Sequence, residues 1–326
     1  MSIKNIFKVV IALLLIYFLV TYNTLDLYRV FDLDLILVLY IILLCLIIMI
    51  LGAFKWFLLL SIQNKKITFF RTLESYYLGY ALNYYLFGVA GDVIKTVYIA
   101  KNKKNKTGIA LSVILDRVIG LICMGIIILY SLPIIFKNLN IKFFYSFVDN
   151  NIYYYYFFIT LLIFFIIFCA RKVLNSIKIK NSILDFLDKY QNKIIKMLTK
   201  TIDIFFTYKK NSLNIIYNIV LAICIQFVIA TSLYLITLET LTGDLGLISH
   251  VISSVFVQIL SIIPISPGNI GVGEAAFSQV MYYMNSKVLL EYASVYFIFR
   301  LINMIFALPG MFVYFFSIKR DIADEK

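Results

Sequence analysis

The chain has 326 residues, of which 63% are hydrophobic and only 14% are charged, and its net charge is +13. Soluble domains carry about 25% charged residues, so this composition excludes a water-soluble protein and indicates an integral membrane protein. The four cysteines and the single histidine show no metal-ligand spacing. Neither a metal nor a cofactor is therefore expected.

Six stretches are apolar enough to predict complete membrane spans, since a spanning helix needs about 20 mainly apolar residues. The first follows Lys4 and Lys8, and no small-residue cleavage site follows it. It is therefore predicted to be a retained span and not a signal peptide. The predicted spans are 6–22, 35–54, 108–135, 153–170, 213–238 and 288–316.

The basic residues predict how these spans are oriented. If the N-terminus is cytoplasmic, most of the 30 Lys and Arg residues fall in segments on the inner side, which is the asymmetry that sets membrane topology. Both termini are therefore predicted to be cytoplasmic, in a multi-pass protein of the bacterial inner membrane. The same asymmetry accounts for most of the positive charge, so nucleic acid is not expected as a partner.

Two further apolar stretches, 72–100 and 247–284, are interrupted by glycine and a carboxylate. The orientation requires each stretch to begin and end on one side of the membrane. Both are therefore predicted to be re-entrant hairpins, the first entering from the cytoplasm and the second from outside. Two complete spans in place of each hairpin would also satisfy the orientation. Pro267 is expected to break the helix in the second stretch.

The two predicted hairpins share a pattern that indicates an inverted repeat. In each, two glycines three positions apart are followed by a carboxylate, and an arginine lies in the next span. Broken helices that meet near the midplane build the substrate sites of many transporters. The alternative is a chance likeness between two glycine-bearing apolar runs. The residues are Gly88, Gly91, Asp92 and Arg117 in the first half, and Gly268, Gly271, Glu274 and Arg300 in the second.

The one sizeable polar region is 171–212. Its apolar residues fall mostly at helical spacing and lysines occupy the other faces. This pattern is typical of an amphipathic helix on the inner leaflet, where basic side chains meet anionic lipid. An ordinary cytoplasmic helical loop explains the pattern equally well.

Charged residues inside a membrane are costly, so they usually pair or line a polar cavity. Exposed N–H groups at the glycines, with positive charge from Lys95, Arg117 and Arg300, favour an anionic phosphate headgroup. The carboxylates would hold the arginines, recognise a cationic headgroup or exchange protons. The alternative is that these charges form ion pairs that only lock helices together. The predicted substrate-binding residues are Gly88, Gly91, Asp92, Lys95, Asp116, Arg117, Pro267, Gly268, Asn269, Gly271, Gly273, Glu274 and Arg300.

Several other polar residues are predicted to have structural roles. Asn83 and Gln258 are predicted to form helix–helix contacts. Glu74 and Glu291, near span ends, are expected to form ion pairs. His250 begins the second hairpin on the outer side and is expected to be interfacial and not a proton relay.

At these motifs the sequence resembles the flippase-like transmembrane domain of lysylphosphatidylglycerol synthases, including stand-alone members of that family. The matching residues are Gly91-Asp92 with Lys95, Asp116-Arg117 with Gly120, and the run from Pro264 through Gly268 into Gly271–Glu274. The family often has arginine where Lys95 stands. Full-length synthases carry an aminoacyltransferase domain after the membrane part, whereas only Lys319–Lys326 follows the last predicted span. The resemblance therefore implies lipid movement without the synthetic activity.

The predicted architecture is all-α, with about six spans and two re-entrant hairpins in a single polytopic membrane domain over 1–326. The predicted function is transport of an anionic or aminoacylated phospholipid, or a lipid-linked headgroup, between leaflets. The expected partners are that lipid substrate and the surrounding membrane lipids, and a homo-oligomer is left open. One alternative is a lipid-modifying transferase of the phosphatidylglycerol lysyltransferase type. The other is a non-transporting subunit of an envelope or glycosylation complex.

Overall fold

The structure is a computed structural model, and the residues that it describes form helices and no strand. The predicted all-α class is confirmed. Of the sequence-based expectations, the residue Gly88, most of the span 153–170 and nearly all of the segment 171–212 lie outside the described residues. The structure describes residues 3–22, 24–64, 66–85, 90–101, 103, 105–139, 152–157, 159–161, 208, 211–241, 246–263, 265–284 and 291–324.

The described residues include nine helices and two short 3₁₀ turns, at Tyr28–Val30 and Pro267–Asn269. A shorter apolar helix lies at Ile152–Leu161. The nine helices are α1 (Ile3–Thr21), α2 (Leu35–Gln63), α3 (Phe69–Tyr85), α4 (Ala90–Ala100), α5 (Lys106–Asn138), α6 (Ser212–Thr240), α7 (Leu247–Leu260), α8 (Val272–Met284) and α9 (Tyr292–Asp324).

Four of these helices have the length and hydropathy of a membrane span within the described residues: α2, α5, α6 and the part of α9 over Tyr292–Phe312. The most apolar of them is α2, in which an 18-residue stretch has a mean hydropathy of 3.4, yet only 28% of that stretch is buried. Leu35 and Ile36 at its start are 70% and 61% exposed. A helix that is apolar on all sides and largely exposed is suited to a lipid environment.

Both interrupted stretches fold as pairs of shorter helices. Stretch 72–100 contains most of α3 and all of α4, and stretch 247–284 contains α7 and α8. In the second, helix α7 ends at Leu260 and the chain is not α-helical again until Val272. The predicted break at Pro267 is therefore confirmed. Whether the pairs are re-entrant, and whether they are an inverted repeat, stay predictions.

The contacts within the chain divide it into two compact units, which we describe separately. The first comprises residues 1–55, 68–101 and 220–326, and the second comprises 56–67 and 102–219. The first unit contains helix α1, helix α9 and both helix pairs. The prediction of one membrane domain over 1–326 stays a prediction.

The core of the first unit is built where α2, α6, α7, α8 and α9 meet. Cys45, Leu233, Val257, Phe277 and Val295, one from each helix, are all fully buried there. This core fixes α8 and α9 next to each other. It therefore holds in place the two helices that carry Glu274 and Arg300.

Helix α3 is docked on α9 through tyrosine hydroxyls. Tyr77 donates to the carbonyl of Phe306 at 2.6 Å, and Tyr85 donates to the carbonyl of Met304 at 2.7 Å. Pro309 interrupts the hydrogen-bond ladder of α9 nearby. Helix α9 therefore supports both helix pairs: α3 from the first pair, and α8 from the second.

Helices α3 and α4 approach each other at two glycines. A Cβ added to Gly79 would lie 2.9 Å from the carbonyl oxygen of Gly91, and one added to Gly91 would overlap the carbonyl oxygen of Gly79. Ser75 also donates its hydroxyl to the carbonyl of Lys95 at 2.8 Å. Small residues at a helix contact permit this close backbone packing in membranes.

We expect Gly91→Ala to destabilise the protein by about 1–3 kcal/mol, because the added methyl group must separate two packed backbones. The measurement is the midpoint of thermal unfolding in detergent. Gly125→Ala is the matched control, because a Cβ at Gly125 meets no atom within 4 Å. Equal midpoints for the two variants would contradict the close contact of α3 and α4.

In the second unit, α2 and α5 are joined by side-chain hydrogen bonds. The indole of Trp56 donates to Ser112 at 3.0 Å, and Asn105 both caps α5 by accepting from Gly108 N–H and donates to Gln63. Asp116 on α5 is buried, whereas Arg117 is exposed. These two predicted site residues therefore belong to the second unit.

Candidate functional site

The two helix pairs of the first unit meet at their tips. The backbone carbonyl of Tyr84, at the end of α3, lies against Gly268 in the connection between α7 and α8. A Cβ added to Gly268 would be only 2.6 Å from that carbonyl oxygen. The tip of the first pair and the tip of the second pair are therefore in direct backbone contact.

The tip of the second pair has an unusual backbone. Gly268, Asn269 and Gly271 have φ angles of 55°, 57° and 82°, which is the left-handed region. Glycine adopts this region without steric cost, and asparagine tolerates it better than most side chains. The residue types at these positions thus explain why the chain can turn sharply here between α7 and α8.

Side-chain hydrogen bonds hold this turn closed. Ser266 donates its hydroxyl to the carbonyl of Ile270 at 2.7 Å, and the amide nitrogen of Asn269 donates to the carbonyl of Ser261 at 3.1 Å. The second bond connects the tip to the end of α7. Two backbone carbonyls of the connection are thus satisfied by side chains from the same turn.

Glu274 and Arg300 form a buried ion pair beneath this tip. The distance from Nε of Arg300 to Oε1 of Glu274 is 2.6 Å, and Nη2 also reaches Oε2 at 3.3 Å. The side chain of Arg300 is 6% exposed and that of Glu274 is 0% exposed. The sequence pattern placed these residues together correctly.

Arg300 also binds the tip itself. Its Nη1 donates to the carbonyl of Gly268 and its Nη2 donates to the carbonyl of Asn269 at 2.9 Å. Oε2 of Glu274 accepts the N–H of Gly271 at 2.7 Å. The pair therefore ties three backbone groups of the tip to α8 and α9, and Arg300 is largely occupied by protein acceptors.

The first pair contains a second buried ion pair, between Asp92 and Lys95. Nζ of Lys95 is 2.7 Å from Oδ1 of Asp92, and the two side chains are 4% and 8% exposed. Nζ also lies 5.1 Å from the centre of the Tyr76 ring. Asp92 thus forms an ion pair with a residue of its own helix, one turn away.

The two acidic residues occupy equivalent positions. Asp92 is the third residue of α4 and Glu274 is the third residue of α8. A carboxylate in the first turn interacts favourably with the positive end of the helix dipole. Glycine precedes each of them, as Gly91 and Gly273. The two carboxylates thus correspond in position along their helices, and the inverted repeat stays a prediction.

A cleft of about 170 Å³ lies at the junction of the two tips. It is bounded by α3 on one side, by the α7–α8 connection on another and by α9. Amide, hydroxyl and aromatic groups dominate its walls, and a guanidinium is also present. The lining residues are Asn83, Tyr84, Ser261, Gly268, Asn269, Tyr296, Phe299 and Arg300.

The match between predicted and observed site residues is partial. Gly268, Asn269 and Arg300 line the cleft. Gly273 and Glu274 are in the first turn of α8, and Gly271 precedes that helix and donates its N–H to Glu274. Pro267 begins the 3₁₀ turn at the tip. Gly91, Asp92 and Lys95 lie in the same unit without lining the cleft, and Asp116 and Arg117 lie in the second unit.

The family model described as "Lysylphosphatidylglycerol synthase TM region" matches residues 5–312. The chain belongs to this family. A search of curated proteins and a search of solved structures found no match. Membership and the apolar helices agree that the chain is a multi-pass membrane protein related to lipid metabolism.

In this family member, neutral residues form much of the cleft, and the sequence did not single them out as binding residues. Tyr84, Tyr296 and Phe299 are aromatic residues in aromatic-rich apolar segments, which is the reason they carried no signal. Asn83 was predicted to be a helix–helix contact, and this is confirmed: its Oδ1 accepts the N–H of Gly91 at 3.1 Å. It lines the cleft as well.

Two further interpretations can now be judged. Gln258 does contact another helix, because its amide and that of Gln226 on α6 exchange hydrogen bonds of 2.7 and 3.1 Å. Glu74 and Glu291 pair with Arg71 and Arg29 as expected. His250 was predicted to be interfacial, and its depth in the membrane stays a prediction. This residue is fully buried and bonded to Thr237 at 2.8 Å, because α6 covers it.

Proposed function

We propose that this chain moves a phospholipid, or a related lipid-linked headgroup, between the leaflets of the cytoplasmic membrane. The headgroup occupies the cleft at the helix-pair tips while the acyl chains stay in the lipid. The single observation that carries this proposal is the contact of two interrupted helix pairs, tip to tip, beside a polar cleft.

The irregular backbone supports this function. Non-helical backbone at membrane depth is tolerated where it is buried in protein or lines a wet cavity. Both conditions hold at the α7–α8 connection, which packs on Tyr84 and lines the cleft. Transporters with broken helices place their substrates at such junctions.

The exposed apolar surface also supports it. On α9, Ile305 and Phe312 are 62% and 60% exposed, and on α7, Leu260 is 41% exposed directly beside the cleft residue Ser261. Lipid tails can cover such side chains while a headgroup reaches the neighbouring polar groups. The arrangement thus separates the two halves of an amphipathic substrate.

The test is a proteoliposome assay with acyl-labelled fluorescent lipids and a quencher outside the vesicles. We expect protein-dependent loss of the inner-leaflet signal. Ser261→Trp should slow it by about tenfold or more, because a bulky ring fills the cleft and a loss of 1.4 kcal/mol of binding is already a factor of ten. Equal rates in empty and protein-containing vesicles, for every headgroup, would refute the function.

Leu260→Trp is the matched control, because it adds the same ring one residue away on an exposed position. It should retain the wild-type rate. If both tryptophan variants lose transport to the same extent, the loss does not come from the cleft.

A further inference from the structure

The charges at the cleft are balanced. Arg300 is the only charged side chain among the described lining residues. The carboxylate of Glu274, 2.6 Å from its Nε, neutralises this charge. Lys95, the other cation of the predicted site in this unit, is paired with Asp92.

We propose that this cleft selects a headgroup of zero net charge that carries a hydrogen-bond donor, an ammonium or a hydroxyl. This inference rests on the site of the transport function proposed above and names its substrate class. It departs from the expectation of an anionic headgroup, because the charges of Arg300 and Lys95 are paired with those of Glu274 and Asp92.

The first step concerns net charge. A net anion in a neutral, partly desolvated cleft gains no counter-ion in exchange for its lost hydration, and burying an unpaired charge is strongly unfavourable. The guanidinium cannot supply the counter-charge without leaving Glu274, which is itself 0% exposed. A headgroup of zero net charge avoids this penalty.

The second step concerns the donor. Oδ1 of Asn269 is buried and has no hydrogen-bond partner among the described residues. The orientation of this amide is fixed, because its nitrogen must face the carbonyl of Ser261, which can only accept. A buried acceptor without a donor is costly. Asn269 lines the cleft, so a small movement of its side chain on ligand binding would bring this oxygen to a ligand N–H or O–H and remove that cost.

The remaining lining fits the other part of such a headgroup. Asn83 accepts from Gly91 N–H through Oδ1, and no described residue accepts from its Nδ2, so the amide can donate to a phosphate or carbonyl oxygen. Tyr84, Tyr296 and Phe299 supply aromatic rings, whose faces attract an ammonium group. Donor, acceptor and aromatic groups together complement a zwitterion.

Four short-chain lipids separate net charge from donor. Phosphatidylethanolamine is net neutral with a donor, and phosphatidylcholine is net neutral without one. Phosphatidylglycerol is anionic with a donor, and phosphatidylmethanol is anionic without one. Binding is measured as the shift in thermal unfolding midpoint of the detergent-purified protein with increasing lipid, since a ligand stabilises the state that it binds.

We expect phosphatidylethanolamine to bind most tightly, phosphatidylcholine and phosphatidylglycerol about tenfold more weakly, and phosphatidylmethanol most weakly. Tenfold corresponds to the loss of one hydrogen bond to a buried or charged group. Equal affinity for phosphatidylglycerol and phosphatidylethanolamine, or no measurable binding of any of the four, would overturn the inference.

Two variants test the two steps separately. Asn269→Gly keeps the left-handed backbone and removes the acceptor, so the preference for phosphatidylethanolamine over phosphatidylcholine should disappear while the charge preference remains. Glu274→Gln leaves Arg300 uncompensated, so phosphatidylglycerol should gain about tenfold relative to phosphatidylethanolamine. The double variant Glu274→Gln/Arg300→Gln restores neutrality and should restore the original order.

Transport and selection fail in distinguishable ways. Selective binding without protein-dependent movement in vesicles would refute the transport function and keep the headgroup selection. Movement of all four lipids with equal affinities would keep the transport function and refute the selection. If Glu274→Gln does not yield folded protein, the Asn269→Gly comparison still decides the donor requirement.

Discussion

Arg300→Leu should destabilise the protein by about 3–5 kcal/mol, the range found when one partner of a buried ion pair is removed. The substitution leaves the carboxylate of Glu274 charged at 0% exposure. It also removes the donors that hold the carbonyls of Gly268 and Asn269. Glu274→Leu should cost less, because Arg300 keeps those two acceptors. The measurement is thermal unfolding in detergent.

The double substitution Glu274→Leu/Arg300→Leu is the informative comparison. It should be more stable than Arg300→Leu alone, although it carries one more change, because no unpaired charge remains. A double variant whose loss equals the sum of the two single losses would show that the pair is not coupled, since independent sites add.

The more exposed ion pair between Arg29 and Glu291 is the matched control. The side chains of Arg29 and Glu291 are 30% and 28% exposed. The hydrogen bond that Arg29 donates to Glu291 raises the pKa of Arg29. Exposed pairs contribute about 0–1 kcal/mol. Leucine at either position should therefore shift the midpoint much less than leucine at Arg300.

Several elements could be predicted from the sequence because local chemistry decides them. Long apolar runs predict helices, and the prolyl-glycine step at Pro267 predicts the break between α7 and α8. The pairing of Glu274 with Arg300 followed from the high cost of single charges in an apolar environment. These are properties that a residue keeps whatever surrounds it.

Other features depend on tertiary contacts that sequence spacing does not encode. Asp92 forms an ion pair with Lys95 of its own helix, a contact that its likeness to Glu274 did not predict. His250 is buried because Thr237 on α6 lies against it. The cleft itself needs α3, α9 and the α7–α8 connection together, so its neutral residues gave no signal in any one segment.

Helix α9 explains how one site can involve both helix pairs. Tyr77 and Tyr85 of α3 bond to its backbone, and Arg300 bonds to the α7–α8 tip. A displacement of α9 would therefore change both walls of the cleft at once. This makes the contact between the two tips the place where a small steric change should have a large effect on transport.

Gly268→Ala should abolish most transport and destabilise the protein by about 1–3 kcal/mol. The added Cβ would lie 2.6 Å from the carbonyl oxygen of Tyr84, and the φ of 55° is unfavourable for alanine. Both effects push the two tips apart and open the cleft. The measurements are the proteoliposome rate and the unfolding midpoint of the same preparation.

Two comparison variants distinguish the causes. Gly268→Asn relieves the backbone strain, because asparagine tolerates the left-handed region. Its Cβ would still overlap the carbonyl oxygen of Tyr84. This variant should recover part of the stability and little of the transport. Gly246→Ala, where an added Cβ meets no atom within 4 Å, should remain close to wild type in both measurements. If Gly268→Ala is as active and as stable as Gly246→Ala, the tips do not touch in the working protein, and the cleft between them cannot be the lipid route.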